Sequence, residues 1–263
     1  MPPIPRPDFP ESTLERLAAA KHIAELTRAG MSADSGLPTY RSGPDAVWNN
    51  VDPSEVASVD ARRRQPLKVW TRLMTMREKM LACEPNAGHL ALARLAASFQ
   101  VTLITQNIDE LHELAGSETV RHMHGQLRTV VCVNCRQHAL PHADVTTLMT
   151  CTHCGKCMRP DVVLFHEMLN GKNMKFAEQT VRQSDALLVV GTSAQVFPIA
   201  SLPVLARRKR KLLVEINPNP TQVTSIADEC LRITAAIGLP WLVDTLLERA
   251  RAAPAASASR SKP

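Results

Sequence analysis

Four cysteines constrain this chain more than any other feature in it. They are spaced Cys132-x2-Cys135-x15-Cys151-x2-Cys154. Two Cys-x-x-Cys knuckles at such a separation close a tetrahedral thiolate site for Zn²⁺. Four protein ligands leave no open position for water, so a zinc held this way is structural and the chemistry lies beside it. Just ahead of the first knuckle the chain reads His122-Met123-His124-Gly125. Cys157 makes a third Cys-x-x-Cys with Cys154, so spacing alone leaves the fourth ligand open between the two.

The rest of the chain must supply the main fold. Its 263 residues are 44% hydrophobic, enough for a large buried core. Short apolar runs at 22–27, 101–105, 186–191 and 212–216 read as buried strands, with helical patterns such as 89–99 and 175–182 between them. Alternation of this kind predicts an α/β fold, a parallel sheet with helices on both faces. Ser12-Thr13-Leu14-Glu15 has the form of a capping box opening a first helix. Two segments interrupt the alternation: a helical stretch at about 39–81 and the cysteine region at about 127–160. From Ala252 the chain is low in complexity, and 252–263 reads as a disordered tail.

Composition excludes some partners. Aromatic residues make up 3% of the chain, too few for the stacking platforms of a single-strand nucleic-acid binder. The net charge of +6 permits an acidic partner without requiring one, and the run Arg207–Lys211 reads as a solvated helix C-terminus. No apolar run approaches the roughly 18 residues of a membrane span, and the Met1–Pro7 segment has no signal-peptide core. Five of the seven cysteines lie in the knuckle region, with no disulfide framework, which points to a reducing, cytoplasmic location.

Ligands of an open α/β sheet gather at the carboxyl ends of its strands. After the first strand comes a small-residue loop, Thr27 to Arg41, whose Gly30 and Gly36 do not fit G-x-G-x-x-G but suit a phosphate. After the second come Gln106, Asn107, Ile108 and Asp109; after a later one Gly191, Thr192 and Ser193; after the last Asn217 and Asn219. Four polar strand ends in one sheet favour a nucleotide cofactor. His124, between the polar strand end and the cysteines, has the side chain suited to a general base near neutral pH.

Together these residues resemble the sirtuins, the NAD-dependent protein deacylases of the silent information regulator family. The likeness runs from about Ile23 to Leu242. The family's G-A-G-I-S-A-E-S-G-I-P-T-F-R is similar to residues 28–41, and Thr105–Ser117 (TQNIDELHELAGS) is nearly a consensus segment. His124-Gly125 resembles the catalytic H-G, and Arg159–Phe165 (RPDVVLF) the approach to the family's F-G-E. The resemblance implies one catalytic region, 1–251. Its Rossmann-like part covers about 10–38, 82–126 and 161–251; its small part joins the helical insertion to the zinc ribbon. It implies NAD and zinc as cofactors and an acyl-lysine protein or peptide as partner. The acyl oxygen would attack the ribose carbon and expel nicotinamide, with His124 as general base on a ribose hydroxyl. Asn107 and Asp109 would orient ribose and carboxamide, and Gln106 would touch ribose hydroxyls. Ala29, Gly30, Ser32, Asp34, Tyr40, Arg41 and Ile108 would line the cofactor site, with Gly191, Thr192, Ser193, Asn217 and Asn219. Val163, Phe165 and Val196 would clamp the substrate backbone by β-augmentation. The family places Gly after the fourth zinc ligand, which selects Cys154 over Cys157.

Three departures carry information. The loop's first Gly is Arg28, which either blocks NAD or pairs with its pyrophosphate. Glu25 falls inside a buried strand, where pairing with Arg28 would relieve it. The Gly of F-G-E is His166. These leave ADP-ribosyl transfer, NAD hydrolysis, or binding without turnover as rival readings. The Tyr-x-x-Arg that anchors acidic acyl groups in some sirtuins corresponds to Leu73–Met76, which holds neither residue.

Overall fold

The structure is a computed structural model and describes residues 8–38 and 52–258. The first part of the chain gives α1 (Glu11–Ala18), β1 (His22–Thr27), α2 (Ala29–Ser32) and a 3-10 turn (Ala33–Ser35). The insertion follows as α3 (Pro53–Val56), α4 (Val59–Arg64) and α5 (Pro66–Leu81). Next come α6 (Ala87–Leu95), β2 (Gln100–Thr105), α7 (Leu111–Leu114) and β3 (Val120–His122). The cysteine region is β4 (Gly125–Cys132), β5 (His138–Ala139) and β6 (Met158–Val162). The chain closes with α8 (Gly171–Gln183), β7 (Ala186–Val190), α9 (Ser201–Arg208), β8 (Leu212–Ile216), β9 (Glu229–Leu231) and α10 (Ala235–Ala258).

Six parallel strands form one sheet in the order β3-β2-β1-β7-β8-β9. The order reverses between β1 and β7, as in a doubly wound Rossmann sheet, and the ligand crevice of such a sheet opens there. All residues of β1, β7 and β8 are buried, because helices cover both faces. On one face α1, α6 and α10 pack around Leu17, Leu92, Leu95 and Leu242; on the other α8 and α9 pack around Val181, Ile199 and Leu202. A three-stranded sheet, β5-β4-β6, carries the cysteines and shares a separate core with α4 and α5, centred on Trp70, Leu73 and Leu127.

Local expectations fail at three points. Helix α1 starts after Pro10, which has no side-chain cap to offer, so Ser12 lies inside the first turn and its capping box does not form. The capping box that does form is Asn86 with His89, at the start of α6. At the other end, α10 continues through the segment from Ala252 to Ala258. Alanine dominates that stretch and is the strongest helix former.

The third failure is Glu25. It is fully buried on the sheet face shared with Ile23, and neither carboxyl oxygen has a hydrogen-bond partner among the described residues. The Glu25–Arg28 pair is therefore not made. Burial pushes the carboxyl well above its ordinary pKa, so it folds as the neutral acid. A group raised in this way contributes stability below the unfolded carboxylate pKa and loses it as pH rises. Glu25→Met should raise stability at neutral pH by about 1–3 kcal/mol, the cost of an unsatisfied buried polar group. The gain should shrink in acid. Denaturant titration of both proteins at two pH values checks this, and a destabilised Glu25→Met would show that the carboxyl has a partner.

Candidate active site

At the switch point the two central strand ends meet backbone to backbone. The Gly30 N–H donates to the Gly191 carbonyl at 2.9 Å. A Cβ on Gly30 would lie 2.6 Å from the Gly191 Cα, and one on Gly191 would lie 2.4 Å from the Met31 nitrogen. Both must be glycine for the loop after β1 to close on the loop after β7. Arg28, by contrast, has extended backbone (φ −149°, ψ −168°), which any residue adopts. Its departure from glycine therefore costs no backbone strain.

The side chains after β2 knit this crevice together. Asn107 Nδ2 donates to the Arg28 carbonyl at 3.2 Å and to Ser32 Oγ at 3.0 Å. The Ser32 hydroxyl donates to Asp109 Oδ2 at 3.0 Å. Gln106 Nε2 reaches Thr192 Oγ1 at 3.4 Å, linking the ends of β2 and β7. Burial raises the Asp109 pKa, while the Leu111 N–H and the Ser32 hydroxyl pull it back.

His124 sits directly above this strand end. Its Nδ1–H donates to the Gln106 carbonyl at 2.9 Å, which leaves Nε2 as the nitrogen with the lone pair. Burial lowers its pKa below the ordinary imidazole value; the Gln106 carbonyl opposes this and the Arg28 charge adds to it. The result is a neutral imidazole at physiological pH, as a general base requires. Gly125 has φ +78°, and a Cβ there would lie 2.1 Å from the Asp161 carbonyl oxygen. The glycine after His124 thus lets β4 cross β6 where the small sheet leaves the large one.

Beyond β8, Asn217 Nδ2 donates to the Thr192 carbonyl at 3.2 Å. The loop it begins is held from below. Arg232 Nη1 donates to the carbonyls of Asn217 and Asn219 at 3.3 and 3.2 Å and pairs with Glu215 at 2.8 Å. Glu215 is fully buried and also accepts from the hydroxyls of Thr221 and Thr224.

In the ribbon the Sγ atoms of Cys132, Cys135, Cys151 and Cys154 all lie within 4.8 Å of one another. The pairs 132–154, 135–151 and 135–154 are 3.5, 3.6 and 3.6 Å apart. Zinc–thiolate bonds of about 2.3 Å in a tetrahedron place sulfurs about 3.8 Å apart, so the residues present fit the ion. Cys157 stands outside this group, with its thiol on the Met158 carbonyl at 3.1 Å.

A profile of the Sir2 family matches residues 28–198. The chain belongs to the Sir2 family. It is similar to "NAD-dependent protein deacylase 1" of Archaeoglobus fulgidus, 41% identical over 225 residues, covering 84% of this chain and 91% of that one. Among solved structures it resembles a Sir2 homolog–NAD complex, with TM-score 0.87, 39% identity and coverage of 93% and 96%. It also resembles a Sir2 protein with a deacetylated p53 peptide and 3′-O-acetyl ADP-ribose, with TM-score 0.77, 27% identity and coverage of 90% and 96%.

Not every residue expected in the site of this Sir2 chain falls into the network. Tyr40 and Arg41 lie outside the described residues. Asp34 is exposed on the 3-10 turn, whereas Ser32 and Ile108 are buried. Phe165 departs from the clamp expected of it. Its N–H donates to the Ala57 carbonyl at 2.9 Å and its own carbonyl accepts from the Val59 N–H at 3.1 Å. Its main chain is thus spent on the helical insertion, leaving a half-exposed ring. The Val163 N–H donates to the His124 carbonyl at 2.8 Å, and the Val196 carbonyl accepts from the Ala200 N–H at 3.0 Å. His166 adopts φ +64°, so the position is left-handed and His carries a modest strain that Gly would not.

Sequence reasoning passed over His89, Asn86 and Arg232. The Asn86 N–H donates to His89 Nδ1 at 3.3 Å, so His89 Nε2 bears the hydrogen and faces Ser32 Oγ at 3.5 Å. Burial drops the His89 pKa to about 4, which keeps it neutral. The Asn-x-x-His spacing, an N-cap with a polar N3, was the available signal.

Proposed function

We propose that this chain is an NAD-dependent protein lysine deacylase, with deacetylation its principal reaction. The observation that carries the reading is His124: its Nδ1–H is committed to the carbonyl of Gln106, the residue that precedes Asn107 of the Asn107–Ser32–Asp109 network, which leaves Nε2 as the unprotonated nitrogen. NAD supplies an electrophilic ribose carbon, nicotinamide as leaving group and ADP-ribose as acyl acceptor. His124 accepts a ribose hydroxyl proton at Nε2. Asn107, Asp109 and Gln106 orient the ribose and carboxamide. The loop from Ala29 to Ser32, closed on Gly191–Ser193, holds phosphate on backbone N–H groups. Asn217 and Asn219 hold the adenosine end. The Phe165 ring, with Val163 and Val196, lines the path of the acyl-lysine peptide.

Small neutral acyl groups fit best. Leu73 is buried in the apolar core of the small domain and Met76 packs against it, and neither offers a charge to an acidic acyl group. No helix among the described residues is long and apolar enough to cross a membrane. None of the seven cysteines is paired in a disulfide, which supports action in a reducing, cytoplasmic setting.

Nicotinamide release should depend on acyl-lysine. Release from NAD with an acetyl-lysine peptide, but not with the unmodified peptide, is the expected result. Equal release with both would replace this reading with NAD hydrolysis. Arg28 tests the cofactor site separately. Arg28→Gly should bind NAD more tightly by titration calorimetry and turn over faster, because a bulky cation must be moved or paired before pyrophosphate can sit on the loop. Weaker binding in Arg28→Gly would make Arg28 a working phosphate ligand.

A further inference from the structure

Residues 122–124 lie along the catalytic strand end and contact three successive carbonyls. His124 Nδ1–H donates to Gln106 and the Met123 N–H to Thr105, at 2.9 and 2.8 Å. His122 Nδ1 contacts the Asn107 carbonyl at 2.9 Å. Two imidazoles two residues apart therefore hold adjacent peptide carbonyls, and their second nitrogens meet different surroundings. His122 Nε2 faces the Glu113 carboxylate at 2.7 Å.

A carbonyl oxygen can only accept, so Nδ1 must carry a hydrogen. A carboxylate can only accept, so Nε2 must carry one as well. The bonding capacity of Glu113 supports the ionised form. Its Oε1 receives a second donor, Gln126 Nε2, at 3.3 Å. Its Oε2 is buried with no acceptor among the described residues for a carboxylic hydrogen.

We propose that His122 works as an imidazolium, paired with Glu113, and that this pair is a positioning device that holds Asn107 in register for catalysis. The inference rests on His124 being the general base and gives the neighbouring histidine the opposite protonation state. His122 does not touch the reacting atoms; it acts through the Asn107 peptide, whose side chain is already fixed on Ser32 Oγ and the Arg28 carbonyl. Loss of the ring hydrogen at high pH breaks one of its two bonds and releases either Asn107 or Glu113. Activity then has two limbs: an acid limb where His124 protonates and an alkaline limb where His122 deprotonates.

The groups facing His122 agree with this assignment. Glu113 on α7 and Asp109 on the loop before it are the carboxylates. His112, also on α7, is kept neutral by burial and by the nearby His89 and His122. Gln126 of β4 bonds to Glu113, and Asn173 of α8 donates its amide to the His122 carbonyl at 3.1 Å. Burial opposes a charge on His122, but the bond and field of Glu113 outweigh it and raise the pKa above the ordinary imidazole value. The Glu113 pKa is correspondingly lowered: burial opposes its ionisation, but the His122 bond prevails.

The test is nitrogen NMR of the histidine rings in the intact zinc-loaded protein, without NAD or peptide, assigned with His122→Gln. His122 should give two protonated ring nitrogens at neutral pH while His124 gives one. In Glu113→Gln, which keeps the shape and removes the charge, the His122 titration and the alkaline limb of kcat should both move to lower pH. Glu113→Asp should restore part of the shift. A singly protonated His122 ring at neutral pH in the wild type would overturn the proposal, whatever the activity shows. So would an alkaline limb that does not move in Glu113→Gln. If instead the ring titrates as expected and His124→Ala remains active, the general-base reading fails and the His122–Glu113 pair stands.

Discussion

His124→Ala should lower deacylation by about 10²–10⁴-fold, the usual range for loss of a general base. The fold should survive, because among the described residues the ring contributes a single hydrogen bond, to the Gln106 carbonyl. Zinc content and NAD affinity should stay near wild type, since the ribbon cysteines and the Gly30–Gly191 closure do not involve His124. The pH dependence has a definite sign. Proton uptake inactivates a base, and the His124 pKa lies below the ordinary imidazole value, chiefly through burial. Wild-type activity should therefore persist into mildly acidic buffer and fall only as pH drops through that lowered value. Steady-state rates on an acetyl-lysine peptide across pH check both points. Turnover of His124→Ala within a few-fold of wild type would remove His124 from the chemistry.

Removal of the metal should have the largest effect on the fold. Closed thiolate sites supply an apparent binding energy of about 10–16 kcal/mol in small peptides at neutral pH. Here Cys132 and Cys151 are buried in the small-domain core with Trp70, Leu73 and Leu127, so the ion also anchors the packing of α5 on β4. Four thiols this close repel one another when ionised and no cation is present. Protein purified without added metal should carry close to one zinc per chain. A strong chelator should open the amides of β4 to β6 to hydrogen exchange while those of β1 and β7 stay protected. Less than about half an equivalent of metal in folded protein, or uniform loss of protection across both sheets, would contradict a zinc confined to a structural role in the small domain.

The sheet was legible because its central strands are buried on both faces. Runs 22–27 and 212–216 coincide with β1 and β8 because strands buried on both faces are predominantly apolar, the buried Glu25 and Glu215 being exceptions. The cysteine spacing found the ribbon, and the polar residues after each strand found the crevice. What stayed hidden depends on contacts distant in sequence. Nothing local to Arg232 shows that its guanidinium holds the Asn217–Asn219 loop from beneath, because that contact needs β8 and β9 side by side. Nothing local to His122 separates it from His124; the carboxylate of Glu113, nine residues upstream, meets the second nitrogen of His122. Glu25 misled in the opposite direction. A charge three residues from an arginine invites a pair, but the strand directs Glu25 into the apolar face, where both its oxygens lack partners. Phe165 was expected in the substrate clamp, but the helical insertion, remote in sequence, bonds both its main-chain groups.

The most direct measurement of the central claim is product analysis by mass spectrometry after incubation with NAD and an acetyl-lysine peptide. The site geometry predicts nicotinamide, deacetylated peptide and O-acetyl-ADP-ribose in equal amounts, all absent when NAD is omitted. Free acetate and deacetylated peptide without NAD consumption, or ADP-ribose and nicotinamide with the peptide still acetylated, would contradict it.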